Sequence, residues 1–82
     1  MYVVYLLKSS VVKKSYVGVT NDIGRRIAEH NSGKHFYTER HMPWKIVYTE
    51  EFPSFDEARK REKYLKTASG RRFLKKIFDR AV

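Results

Sequence analysis

The sequence predicts a small α+β domain in the order β-β-α-β-α-α, a three-stranded sheet covered by three helices. Three observations lead there. Two stretches rich in β-branched and aromatic residues, 2–8 and 15–19, lie close together. Trp44, Ile46 and Tyr48 alternate with Lys45, Val47 and Thr49, which is the period of a strand. Three further stretches repeat apolar residues at three- and four-residue spacing, the period of a helix. The length of 82 residues bounds the result to a single domain over residues 1–82 with one compact core.

The first strand is expected over residues 2–8, where Met1 to Leu7 is apolar but too brief for a spanning segment and lacks a basic lead-in. Residues 9–14 read as a hairpin loop around Val11 and Val12, and residues 15–19 return antiparallel. A helix is expected over 21–32, capped by Thr20 or Asn21 and stopped by Gly33. Residues 34–43 follow neither period and form a long connection, the kind of segment that often carries functional groups. Pro43 holds Met42 extended, and the third strand runs from Trp44 to about Glu51. Ser54 followed by Glu57 is a capping box. The helix behind it, about 55–67, has Phe55, Ala58, Glu62 and Leu65 on one stripe. Ser69-Gly70 is expected to break it, and a last helix then carries Phe73, Leu74, Ile77, Phe78 and Ala81 inward.

Lys and Arg number 18 against 9 acidic residues, a formal charge of +9. Such a surplus on a small domain favours nucleic acid as partner, because each neutralised phosphate releases condensed counterions. An anionic membrane is the second class such a field serves, but no segment is long enough to span one, and we expect no membrane association. There is no cysteine, which excludes disulfides and thiolate metal sites and fits a cytoplasmic protein.

Residues 16–30 concentrate the candidate chemistry. Tyr16 ends a strand, and Arg26 and His30 stand four apart on one helical stripe, so the three can share a wall. Glu62 is out of place in an apolar stripe, since a buried carboxylate is expensive without a partner. It is half-buried in a salt bridge, or displaced from the core, or faces a cleft and binds a divalent cation. Magnesium tolerates a single carboxylate because waters and substrate phosphates complete its octahedron. Phosphodiester cleavage would then have Tyr16 or Tyr5 holding the water, Arg26 against the developing charge, Glu62 on the metal, and His30 relaying a proton or fixing a tyrosine. The plainer reading has the tyrosines as ordinary strand residues, Arg26 solvated, and His30 satisfied by the helix dipole.

The pattern resembles the GIY-YIG nucleases, in particular their small stand-alone members and the nuclease module of bacterial excision-repair incision proteins. Val3-Val4-Tyr5 matches the first triplet and Tyr16-Val17-Gly18 the second. Thr20 to Ile27, His30 to Gly33, Tyr37-Thr38, Pro43 to Tyr48 and Glu57 to Lys66 follow in order, so the likeness covers about residues 2–80. It implies a central three-stranded antiparallel sheet flanked by helices, and metal-dependent hydrolysis of phosphodiesters, usually in DNA. By position, the triplet tyrosines fall on Tyr5 and Tyr16, the essential arginine on Arg26, and the metal-binding glutamate on Glu62; one Mg²⁺ or Mn²⁺ is expected. Two positions depart from the family pattern: Val3 replaces the first glycine, and Val19 stands where some members carry a lysine.

The expectation is therefore a DNA endonuclease, structure-selective and linked to repair or recombination, acting as a monomer, with a partner protein as one source of target selection. RNA stays open as a substrate. Lys14, Arg25, Lys34, Arg40 and Lys45, then Lys63, Lys66, Arg71 and Arg72, are the candidates for backbone contact. The rival is a non-catalytic nucleic-acid-binding module with the same fold. A third reading is a subunit that docks on a larger enzyme through the aromatics of 36–44.

Overall fold

The computed structural model describes residues 1–33 and 38–81. Strand β1 (Tyr2–Ser9) lies in the middle of a sheet ordered β2-β1-β3, with β2 at Ser15–Thr20 and β3 at Trp44–Phe52, each antiparallel to β1. The helices are α1 (Ile23–Asn31), α2 (Phe55–Leu65) and α3 (Ala68–Arg80). The expected order of elements is therefore the observed one. Ser9 shapes the β1–β2 loop: its amide donates to the Lys14 carbonyl at 3.0 Å, and its hydroxyl accepts from the amides of Val11 and Val12. Both valines stay exposed at the tip.

Successive residues of a strand face opposite sides, and β1 uses both. Val4 and Leu6 pack with Ala58, Leu65 and Leu74 under α2 and α3. Tyr5 and Leu7 pack with Trp44 on the opposite side, where Ile23 and Ile27 of α1 close over them. Strand β3 departs from the simple alternation. Leu6 pairs with Tyr48 but Leu7 with Ile46, so Val47 is an extra residue, a β-bulge. Val47 and Tyr48 both pack against the α2–α3 side, and Ile46 is left exposed.

Local chemistry also corrects two boundaries. Asp22, not Thr20 or Asn21, caps α1 by accepting from the Arg25 amide at 3.1 Å. The Thr20 hydroxyl instead accepts from the Asp22 amide and forms the turn that presents the cap. Gly33 then turns the chain away from α1 with φ of 81°. Ser54 caps α2 as expected, accepting from the Glu57 amide. The break between α2 and α3 falls at Lys66-Thr67, not at Ser69-Gly70. Thr67 caps α3 by accepting from the Gly70 amide at 3.2 Å. Gly70 belongs to the first turn of α3 because the two helices meet there: a Cβ would lie 2.2 Å from the Tyr64 carbonyl oxygen and 2.4 Å from the Leu65 Cα.

Phe55 and Phe73 were expected on the inner stripes, yet they are 47% and 39% exposed. Phe55 begins α2 one turn before Ala58 reaches the core, and meets only the edge of the core region through Tyr2. Phe73 lies against Tyr48 and the Arg61 guanidinium. Among the described residues, no helix is long and apolar enough to cross a membrane.

Candidate active site

The centre of the site is the hydroxyl of Tyr5. Tyr5 sits in the central strand and is 1% exposed, so its ring needs room beside β2. Its register partner there is Gly18. A Cβ on Gly18 would lie 2.4 Å from Tyr5 Oη, 2.6 Å from its Cζ and 3.0 Å from Cε2 of Tyr16. Only a residue without a side chain lets Tyr5 lie across the β2 backbone. Tyr16 stands two residues earlier on the same face of β2, with its ring centroid 6.3 Å from that of Tyr5 and 4.9 Å from that of His30.

Helix α1 brings its stripe onto this pair. His30 Nε2 is 3.0 Å from Tyr5 Oη, and its Nδ1 is 2.8 Å from the Thr38 hydroxyl. Arg26 Nε donates to Tyr5 Oη at 3.4 Å, and its Nη1 donates to Glu29 at 3.0 Å. The i, i+4 spacing thus delivers a cation and an imidazole to one phenol. His30 is fully buried, with its ring hydrogen-bonded to Tyr5 and Thr38.

Burial pushes the Tyr5 pKa above its ordinary value of 10.0; the Arg26 hydrogen bond opposes this, and the neighbouring Tyr16 and Glu62 charges add to it. Tyr5 therefore keeps its proton near neutrality. Its oxygen can accept from Arg26 while its proton goes to His30 Nε2; His30 then carries a proton on Nδ1 toward Thr38. The Arg26 guanidinium is held still more firmly protonated, first by the Tyr5 hydrogen bond.

Glu62 is 6% exposed, so its place in the apolar stripe of α2 is real. Its two oxygens accept from Arg59 Nη1, one turn earlier on α2, and, at 3.2 Å, from Lys66 Nζ at the C-cap of that helix. Those two basic side chains are 48% and 51% exposed, so the carboxylate is buried while its partners reach solvent. Among the described residues, no three His, Cys, Asp or Glu side chains gather as a metal-ligand group.

Among the described residues, one cleft includes Tyr16 and another includes Arg26. One, of about 550 Å³, runs between β2 and α3 and contains Tyr16 together with Lys13, Lys14, Lys66, Arg71 and Lys75. The other, of about 310 Å³, contains Arg25 and Arg26 beside Tyr2 and Phe55. Of the proposed backbone contacts, Lys14, Lys66 and Arg71 line the first and Arg25 the second. Arg40, Lys45, Lys63 and Arg72 are exposed but line neither, and Lys34 lies outside the described residues.

Sequence reasoning missed several contributors. Lys13 adjoins Lys14, and Lys75 follows Arg71 by four, so both were recoverable from helix and hairpin geometry. Thr38 was not: it is fully buried within a 3-10 turn, Thr38–His41, inside what read as an irregular loop. Trp44 Nε1 donates to the Thr38 carbonyl at 2.7 Å, and the Asn31 side chain bonds both the amide and the carbonyl of Trp44. These contacts place the turn behind His30. The aromatics at 36 and 37 lie outside the described residues.

Residues 1–76 match the family model of the GIY-YIG catalytic domain. A UPF0213 protein of Staphylococcus haemolyticus is 44% identical over 66 residues, covering 79% of this chain and 80% of that one. A UPF0213 protein of Streptococcus pneumoniae is 46% identical over 52 residues, 62% of this chain and 52% of the relative's length. The solution NMR structure of a UPF0213 protein from Bacillus halodurans superposes with a TM-score of 0.55 at 34% identity, over 93% of this chain and 83% of that one.

Proposed function

The chain belongs to the GIY-YIG family, and from that membership we propose that it is a divalent-metal-dependent endonuclease that hydrolyses phosphodiester bonds in DNA. The observation that carries the reading is the convergence of Arg26 and His30 on the Tyr5 hydroxyl beside Tyr16. A core tyrosine needs one hydrogen-bond partner; it does not need both a guanidinium and an imidazole.

In this reading Tyr16 orients the attacking water and, its own phenol proton having passed to solvent, takes the proton of that water. Tyr5, kept protonated by burial, does not act as base; it donates a hydrogen bond and holds Arg26 in place. Arg26 neutralises charge on the phosphate oxygens as the new P–O bond forms and the old one breaks. His30 positions Tyr5 and is the nearest reservoir for a proton through that hydroxyl. The donor set suits Mg²⁺ or Mn²⁺: Glu62 offers one buried carboxylate whose charge is felt at Tyr5, and water and phosphate oxygens can supply the other ligands. One such ion, when bound, would polarise the phosphate and stabilise the leaving oxygen. The basic cleft beside Tyr16 suits a nucleic-acid backbone. Structure selectivity, a role in repair or recombination, a monomeric state and a target-selecting partner protein remain parts of the same proposal.

One observation favours the rival reading of a non-catalytic binder: both Glu62 oxygens are engaged by cations. A panel of labelled duplex, nicked, branched and single-stranded DNA and RNA, incubated with Mg²⁺ or Mn²⁺, separates the two. Cleavage by the wild type that is lost in folded Glu62→Ala and Arg26→Ala supports the nuclease and identifies its substrate. Salt-sensitive binding without cleavage of any panel member sinks it in favour of the binder.

A further inference from the structure

The cleft that contains Arg26 holds a feature the chemistry above does not use. Its floor pairs two aromatic rings, Tyr2 at the start of β1 and Phe55 at the start of α2, with centroids 5.6 Å apart and planes inclined by 68°. Phe55 keeps 47% of its surface in solvent although it shares a helical stripe with Ala58 and Leu65, which are buried. The Ser54 cap holds it there: the Ser54 hydroxyl accepts from the Glu57 amide and donates to the Glu57 carboxylate. The rim carries Thr20, Asn21, Arg25 and Arg26. At about 310 Å³ the cleft is at the lower end of the roughly 300–1,000 Å³ range of small-ligand sites.

We propose that this cleft is a subsite for one unstacked nucleobase, that of the nucleotide adjoining the phosphate held by Arg26. An aromatic ring in a positively charged groove is how proteins hold an unpaired base, since every base has a π-face. The rim supplies the matching chemistry: two guanidiniums for the flanking phosphates, and the Asn21 amide and Thr20 hydroxyl for a base edge. Arg26 belongs to both the tyrosine wall and this cleft, so a strand whose phosphate reaches Arg26 brings its neighbouring base over Phe55. The proposal rests on the nuclease reading for the phosphate at Arg26 and on nothing else in it.

The test is binding, not cleavage, and is run with a chelator so that the strand stays intact. The probe is a short single strand carrying a fluorescent adenine analogue, compared with the same strand in a duplex. Anisotropy reports affinity, and quenching of the analogue reports stacking. Phe55→Ala should weaken single-strand affinity by roughly 5- to 150-fold and abolish the quenching, with little change for the duplex. Phe55→Trp should retain both signals. Phe55→Leu keeps an apolar contact for Tyr2 without a π-face, and should lose the quenching with its circular dichroism and melting unchanged. Undiminished affinity and quenching in folded Phe55→Ala and Phe55→Leu overturn the subsite and leave the nuclease reading standing. Absence of binding to either probe by the wild type also overturns the subsite, and the cleavage panel with Mg²⁺ or Mn²⁺ decides the nuclease reading separately.

Discussion

Gly18→Ala isolates the contact on which the tyrosine wall depends. The added Cβ would stand 2.4 Å from Tyr5 Oη and 2.6 Å from Cζ, about 1 Å inside normal contact. Tyr5 cannot simply retreat, because it is buried and its hydroxyl is held between His30 at 3.0 Å and Arg26 at 3.4 Å. Overpacking of this kind costs about 1–3 kcal/mol. If the ring shifts enough to lose the His30 bond, a buried polar group adds about 1–3 kcal/mol. Alanine recovers about 0.5–1 kcal/mol of strand stability that glycine forgoes. The balance is a loss of about 2–4 kcal/mol, or roughly 10–25 °C in Tm for a domain of this size. Urea unfolding gives the free energy, and the same substitution in a Tyr5→Leu background gives the coupling. Leucine is too short to reach the new methyl, so the penalty should nearly vanish there. A Gly18→Ala protein within about 0.5 kcal/mol of wild type, or an equal penalty in both backgrounds, would refute the packing argument.

Gly70→Ala should be worse than a helix-propensity scale suggests. Alanine favours helices by about 1 kcal/mol over glycine, but its Cβ here meets backbone atoms of Tyr64 and Leu65 that cannot rotate away; with the overpacking cost at the upper end of its range, a net destabilisation of about 2 kcal/mol is expected in urea unfolding. Tyr5 also makes stability fall in alkali. Its folded pKa is raised above 10.0, chiefly by burial, so its contribution is fully present below that pH and is lost as pH climbs through the folded value. Tyr48 is raised in the same direction by burial, so it shares the effect. Urea unfolding followed across this pH range should show a shallower alkaline loss for Tyr5→Phe than for wild type; an unchanged slope would contradict the shift.

The order of elements was legible because each carried its own periodicity or cap. Ser54 with Glu57 announced α2, and Gly33 ended α1. Errors arose where a residue's local preference was overruled. Gly70 reads as a breaker on propensity, yet it lies inside α3 because two helices need to touch there. Trp44, Ile46 and Tyr48 read as one face on strict alternation, yet the bulge at Val47 puts Tyr48 against the opposite side of the sheet. Phe55 reads as core at helical spacing, yet the sheet does not extend beneath it far enough to cover it.

For the site, the sequence by itself determined which groups exist and which share a face: a tyrosine two residues before a glycine on β2, an arginine and a histidine four apart on α1, and a carboxylate within an apolar stripe of α2. Those facts follow from the fixed periods of strands and helices. Only the tertiary structure decided the rest. It brought His30 and Arg26, from 25 and 21 residues away, to one buried hydroxyl. It placed Thr38 behind the imidazole, and put Phe55 beside Arg26. The reason is physical: periodicity sets the direction of a side chain relative to its own element, whereas contacts between elements depend on how closely sheet and helices pack, and that is settled by atoms such as the missing Cβ of Gly18.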